Sequence, residues 1–392
     1  MNSFEYIRNG KNYYNQKLYN EAISEFSNAL EIDPNNAEAY EYKGCSYYFI
    51  ENIEKALENL NLAIELNPNS SNAFCYRGAC YCSLQKQAIS SEVISFNKPT
   101  TFGFKGYTFD KVSINDIQKC ISDENKAIEL DKNNLQAYHM RGVANYWLEN
   151  YEQALTDLNK VIRECPNEDS YDIRSRIYYF TNNYESAIKD CTEVIKLNPN
   201  NANTYDCLGR IYYMQEDFDK AIMNFTQAIR IKPSSDMALY YRGCCYYFKD
   251  DCKKALADFE NCIRYNPQNY SAFDYKGRCS WFIGNFTQAI KDETISISLN
   301  NLNGSAYDFR GRAYYFLKDY ISAVRDITHA IELGIKNYSV FDCRGRAYFN
   351  LKQYENAIND FKLALWIKPN NQELYEFLKK VYAEMKAEGL VK

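Results

Sequence analysis

Histidine is almost missing from this chain: 392 residues carry two, His139 and His329. A Ser–His or Cys–His nucleophilic centre and the H-E-x-x-H zinc pattern both need imidazole, so neither is expected. No glycine-rich phosphate loop and no dinucleotide-binding glycine fingerprint occurs. Carboxylates are plentiful, as charge-rich helices make them. The expectation is a chain that is not an enzyme, with no cofactor and no metal. Long apolar runs are lacking as well, so no membrane span is expected. The stretch MNSFEYIRNG has no basic segment followed by an apolar one, which argues against a secretion signal and for the cytoplasm. Net charge is −5, mild and of the wrong sign for nucleic-acid binding by bulk electrostatics.

Proline is scarce too, but seven of its eight occurrences share one register, from Pro34 to Pro369. They belong to a repeat. Gly10, Gly44, Gly78, Gly142, Gly209, Gly243, Gly277, Gly311 and Gly345 recur, apart from two breaks, every 34 residues. Alignment on them gives ten units: 3–36, 37–70, 71–134, 135–167, 168–201, 202–235, 236–269, 270–303, 304–337 and 338–371. Counting from 1 within each unit, a large apolar residue stands at position 4, glycine at 8 (Ser175 excepted) and tyrosine most often at 11. Alanine stands at position 20 in nine units, Cys120 being the exception. Positions 4, 8 and 11 make one stripe of a helix, and 20, 24 and 27 make a stripe of a second. Small residues at 8 and 20 let the two helices approach, and proline at 32 ends the second. Each unit is a predicted helical hairpin whose apolar stripe needs a neighbour to cover it.

This period and these anchor positions resemble the tetratricopeptide repeat family over residues 3–371. The resemblance implies an all-α fold, a right-handed α-α superhelix (solenoid) whose first helices line a concave groove. Such a groove typically holds a peptide or an extended segment of another protein. Residues 372–388 read as a capping helix with an apolar stripe of Leu374, Phe377, Leu378, Val381, Tyr382 and Met385. No comparable cap precedes the first unit, so Tyr6 and Phe26 are expected at an exposed edge open to self-association.

Two charged patterns separate structure from site. Position 7 is usually basic and position 23 usually acidic, as in Arg344 and Asp360, which reads as an ion pair between the two helices of a hairpin. Positions 5 and 9 carry Asp172/Arg176, Asp206/Arg210, Asp274/Arg278, Asp308/Arg312 and Asp342/Arg346. The plain reading is an i,i+4 pair on one helix. By the family resemblance, the stripe 2, 5, 9, 12 faces the groove. Position 12 continues it with Tyr179, Tyr213, Tyr247, Trp281, Tyr315 and Phe349. This Asp/Arg ladder with its aromatic rings is the candidate partner-binding site. Each rung carries one charge of either sign, so a strongly acidic tail is not its expected ligand, and the family's Lys/Asn/Arg clamp for such tails is not found. The expected role is a non-catalytic protein–protein interaction scaffold. Carbohydrate or another polymer on the same stripe, and self-assembly through the first unit, are the alternatives.

Of the 14 cysteines, several fall beside the repeat glycine or replace the recurrent alanine, as small buried residues do. With few histidines and no regular paired spacing, they read as reduced thiols and not as a zinc site. The third unit is longer than the others, with an insertion at about 86–112 between its helices. It holds two short β-like runs around a Pro/Thr turn, and Phe96, Phe102, Phe104, Tyr107 and Phe109 suggest either a tolerated loop or a flap over the groove.

Overall fold

The computed structural model describes residues 2–91 and 111–389, and the side chains of 85–91 and 111–113 are not described. All regular structure among the described residues is α-helical. The chain divides into two compact units, residues 1–199 and 200–392. The first contains the pairs α1–α2 (Ser3–Asn15, Tyr19–Ile32), α3–α4 (Ala37–Phe49, Ile53–Leu66) and α5–α6 (Ser71–Ser91, Lys111–Leu130), then α7–α8 (Leu135–Trp147, Tyr151–Glu164) and α9–α10 (Glu168–Phe180, Tyr184–Leu197). The second contains α11–α12 (Ala202–Met214, Phe218–Ile231), α13–α14 (Asp236–Phe248, Cys252–Tyr265) and α15–α16 (Tyr270–Phe282, Phe286–Leu299). It continues with α17–α18 (Gly304–Phe316, Tyr320–Glu332), α19–α20 (Tyr338–Asn350, Tyr354–Ile367) and the terminal α21 (Gln372–Ala387). Helices of a pair pack on each other, and within each unit the second helix of one pair packs on the first helix of the next.

The Asn-rich turns that follow the second helices are helix caps. Asn36, Asn134, Asn167, Asn269, Asn303, Asn337 and Asn371 each accept a hydrogen bond from the backbone N–H of the third residue of the next helix. Among the described residues, nine hairpins reverse the chain through one left-handed residue. Eight of these carry a side chain, such as Glu216 with φ 58°, and Gly284 with φ 81° is the glycine among them.

The repeat glycine is there for space. At Gly209 an added Cβ would lie 2.6 Å from the Phe225 ring on the partner helix. Where the glycine is lost, at Ser175, the facing residue shrinks to Cys191, and both are buried. Position 24 is therefore the knob of each hairpin, filled by Phe26, Leu60, Leu158, Phe225, Phe259, Ile327 and Phe361, all buried. Two knobs are carboxyl groups, Glu124 and Glu293, each fully buried with no hydrogen-bond partner for either oxygen.

Three expectations need correction or a limit. Phe26 is fully buried under Gly10, and the exposed ring at that edge is Phe4 at 73%. On α21, Leu374, Val381 and Met385 are buried, but Tyr382 is exposed, because the helix has no further neighbour on that side. The insertion enters the described residues as helix, since α5 runs to Ser91 and α6 starts at Lys111. Its β-like runs and the flap lie outside the described residues. No described helix is long and apolar enough to cross a membrane.

Candidate partner-binding surface

The position 7–23 pair forms a two-pronged clamp. Arg77 grips Asp123 through Nε and Nη2, both at 2.7 Å. Arg141–Asp157, Arg174–Asp190, Arg242–Asp258, Arg310–Asp326 and Arg344–Asp360 repeat the geometry. Nη1 then reaches back one repeat, to Asn61 from Arg77, to Thr226 from Arg242 and to Thr328 from Arg344. The sequence showed the first bond of this arrangement and not the second. Repeat eight substitutes Lys276, which makes one 3.2 Å contact to Asp292 Oδ1 and leaves the buried Oδ2 without a partner.

The Asp/Arg ladder lies on the first helices, and every rung is an ion pair along its own helix. Asp172–Arg176, Asp206–Arg210, Asp274–Arg278, Asp308–Arg312 and Asp342–Arg346 all close at 2.7 Å. The arginines do more than neutralise. Arg278 Nη2 also donates to Ser305 at 2.6 Å, Arg312 Nη2 to Ser339 at 2.9 Å and Arg346 Nη2 to Glu373 at 2.7 Å, each 27 residues on. Their planes cover rings of the next repeat: Arg278 lies 5.1 Å from Phe309, and Arg346 lies 4.6 Å from Phe377. Asp274 and Asp308 are buried, while Asp172, Asp206 and Asp342 are partly open. Burial raises the pKa of Asp172 and Asp342, with Arg176 and Arg346 pulling the other way. The ladder is thus part of the stacking interface as well as part of a surface.

The position 12 rings are half-buried, and four of them bridge to the next unit. Tyr213 meets Tyr241 edge-on at 5.4 Å, Tyr247 meets Tyr275 at 5.2 Å, Trp281 meets Phe309 at 5.8 Å and Phe349 meets Phe377 at 5.3 Å. Tyr179 packs on Phe180 at 5.5 Å, and Tyr315 packs on Tyr320 at 5.7 Å. Burial pushes the phenols of Tyr213 and Tyr247 above the ordinary tyrosine value. The Trp281 indole N–H is buried without an acceptor.

Rings more open than these sit one place further, at position 13. Phe248, Phe282 and Phe316 are 47%, 56% and 50% exposed at the ends of α13, α15 and α17. They stand one helical turn beyond the position 9 residues Cys244, Arg278 and Arg312, on the same side of the helix. Phe316 stacks on Phe286 at 4.7 Å and Phe248 on Phe218 at 5.5 Å. The sequence carried the signal, because Phe49, Trp147 and Phe180 hold the same position in the other unit. Neighbouring aromatics at 11 and 12 concealed it.

Tetratricopeptide repeat sequence models match residues 3–36, 37–70, 136–168, 168–201, 191–223, 237–269 and 344–371. The chain belongs to the tetratricopeptide repeat family. No curated protein sequence matches it. Among solved structures, yeast Tom70 is similar over 98% of this chain and 96% of its own, at 14% identity and TM-score 0.42. YrrB, described as a tetratricopeptide repeat protein with an unusual peptide-binding site, covers 48% of this chain and 97% of its own, at 20% identity and TM-score 0.43. Pseudomonas aeruginosa PilF covers 54% of this chain and 97% of its own, at 17% identity and TM-score 0.49.

Proposed function

We propose that the chain is a non-catalytic protein–protein interaction scaffold that grips a peptide or extended segment of another protein along its first helices. The observation that carries this reading is the row Phe248, Phe282 and Phe316, exposed at one position of three successive repeats, the last two beside the Asp274/Arg278 and Asp308/Arg312 rungs. Exposed rings in a row offer apolar contact area at low entropic cost, and aromatic residues are the usual anchors of such interfaces. In this reading Asp206, Tyr213, Tyr247, Arg278, Trp281, Arg312, Tyr315, Asp342, Arg346 and Phe349 are the remaining candidate contacts, and the buried Arg210, Asp274 and Asp308 hold their neighbours in place from beneath. Asp172, Arg176 and Tyr179 offer one such rung in the 1–199 unit. The rungs are charge-neutral, so the partner segment carries little net charge and supplies apolar side chains and backbone hydrogen bonds. Family membership supports the scaffold role, and cysteine used as a small core residue supports a cytoplasmic setting.

The test is selection of peptides from a random library on the full chain, followed by affinity measurement on Phe248→Ala, Phe282→Ala and Phe316→Ala combined. Weaker binding of the selected peptides by the variant supports the reading. Undiminished binding, or no peptide selected above background, overturns it.

A further inference from the structure

The third hairpin holds a pair of thiols in contact. Cys82 on α5 and Cys120 on α6 lie with their sulfurs 2.8 Å apart, 38 residues apart in the chain. They are 4% and 0% exposed. A disulfide needs the two β-carbons to face each other at short range, and most cysteine pairs fail on that geometry. A disulfide places its sulfurs about 2.0 Å apart, and this pair already stands at 2.8 Å. We propose that Cys82 and Cys120 are an oxidative modification site, converted by a peroxide-class oxidant to a disulfide that ties α5 to α6.

Burial keeps thiols inert, so the site needs a way to open. Glu124 provides it. It stands one turn beyond Cys120 on α6, in the knob position that seven other repeats fill with Phe, Leu or Ile. Its carboxyl is pressed against Gly78 of α5. Neither of its oxygens has a hydrogen-bond partner of normal geometry, and burial holds its carboxyl well above the ordinary carboxylate range, with the Cys75 thiol pulling weakly the other way. A buried carboxyl left in this state weakens the contact between α5 and α6, and local opening follows the weakest contacts.

In the open hairpin one thiol loses its proton, and its thiolate attacks a peroxide oxygen. The O–O bond breaks, a sulfenic acid forms, and the departing hydroxide takes up a proton to leave as water. The second thiolate attacks the sulfenic sulfur, the S–O bond breaks, and a second water leaves. Two electrons pass from the sulfurs to the peroxide, so one dithiol and one peroxide give one disulfide and two waters.

Hydrogen peroxide titration of the reduced full chain tests this, with remaining thiols alkylated after denaturation and peptides mapped by mass. The expected first product is a peptide pair linked through Cys82 and Cys120, reversed by dithiothreitol. Amide exchange in α5 and α6 is expected to slow by about tenfold on oxidation, because the cross-link removes open states. Cys120→Ala, which installs the alanine that nine other repeats carry, keeps the helicity of the reduced chain and loses the slowing. Other cysteines linked first, or exchange in the hairpin unchanged by oxidation, overturns the proposal.

Discussion

Arg312 donates to Ser339 at 2.9 Å across the junction of two repeats, while holding Asp308 at 2.7 Å on its own helix. One side chain therefore belongs to a surface and to the joint beneath it. Replacing Arg312 by Leu strands the buried Asp308 carboxylate. Urea unfolding is expected to show a loss of about 3 kcal/mol, the usual cost of breaking a buried pair from one side. With Ser339→Ala added, the double change is expected to cost less than the sum, by about 0.5–1.5 kcal/mol. Additive losses would show that the two side chains do not interact.

Repeat eight lacks the arginine clamp. Lys276 reaches one oxygen of Asp292, and the other is buried without a partner. Lys276→Arg restores a fork that fits both oxygens, with Glu260 of the preceding repeat within reach for the remaining nitrogen, since Lys276 already lies 3.9 Å from it. The variant is expected to be more stable by about 1 kcal/mol in urea unfolding. A destabilised variant would contradict the clamp as the organising contact.

Glu293 makes stability depend on pH. Burial, then the facing Asp274 carboxylate, hold its pKa well above the ordinary 4.5, with Arg278 and Arg310 opposing and Asp292 adding to the rise. A raised folded-state pKa stabilises the fold below the unfolded value and loses that contribution as pH climbs through the folded value. Stability contributed by this site is therefore expected to fall as pH rises above about 4.5. Glu293→Gln should flatten that slope. Glu293→Phe, which copies Phe225 against Gly209, should flatten it and add about 1–3 kcal/mol at alkaline pH. An unchanged slope in Glu293→Gln would assign the pH dependence to other groups.

The hairpins were legible in the sequence because their determinants are local and repeated: Gly209 under Phe225, the Asn caps, the Arg344–Asp360 clamp. What one unit does to the next was not. Arg312 and Asp308 read as a surface pair because Ser339, their third member, stands 27 residues away with no charge to reveal it. The position 13 rings were hidden among adjacent tyrosines, since exposure depends on how the stack covers each ring. Phe26 was expected at an open edge, but the bare backbone of Gly10 lets α1 close over it. Glu124 and Glu293 stood in plain view at an apolar position, where helical periodicity alone does not tell a buried carboxyl from a solvated one.

In the proposed function, the open rings of the 200–392 unit capture a partner segment. The most direct measurement of this capture is calorimetric titration of a library-selected peptide into the wild type and into the combined Phe248→Ala, Phe282→Ala and Phe316→Ala variant. Trp366→Ala, at an 82% exposed ring on a second helix, serves as the control. The triple variant is expected to lose affinity by about tenfold or more, with melting preserved, and Trp366→Ala to lose none. Equal affinity for the triple variant and the wild type would contradict the proposed function.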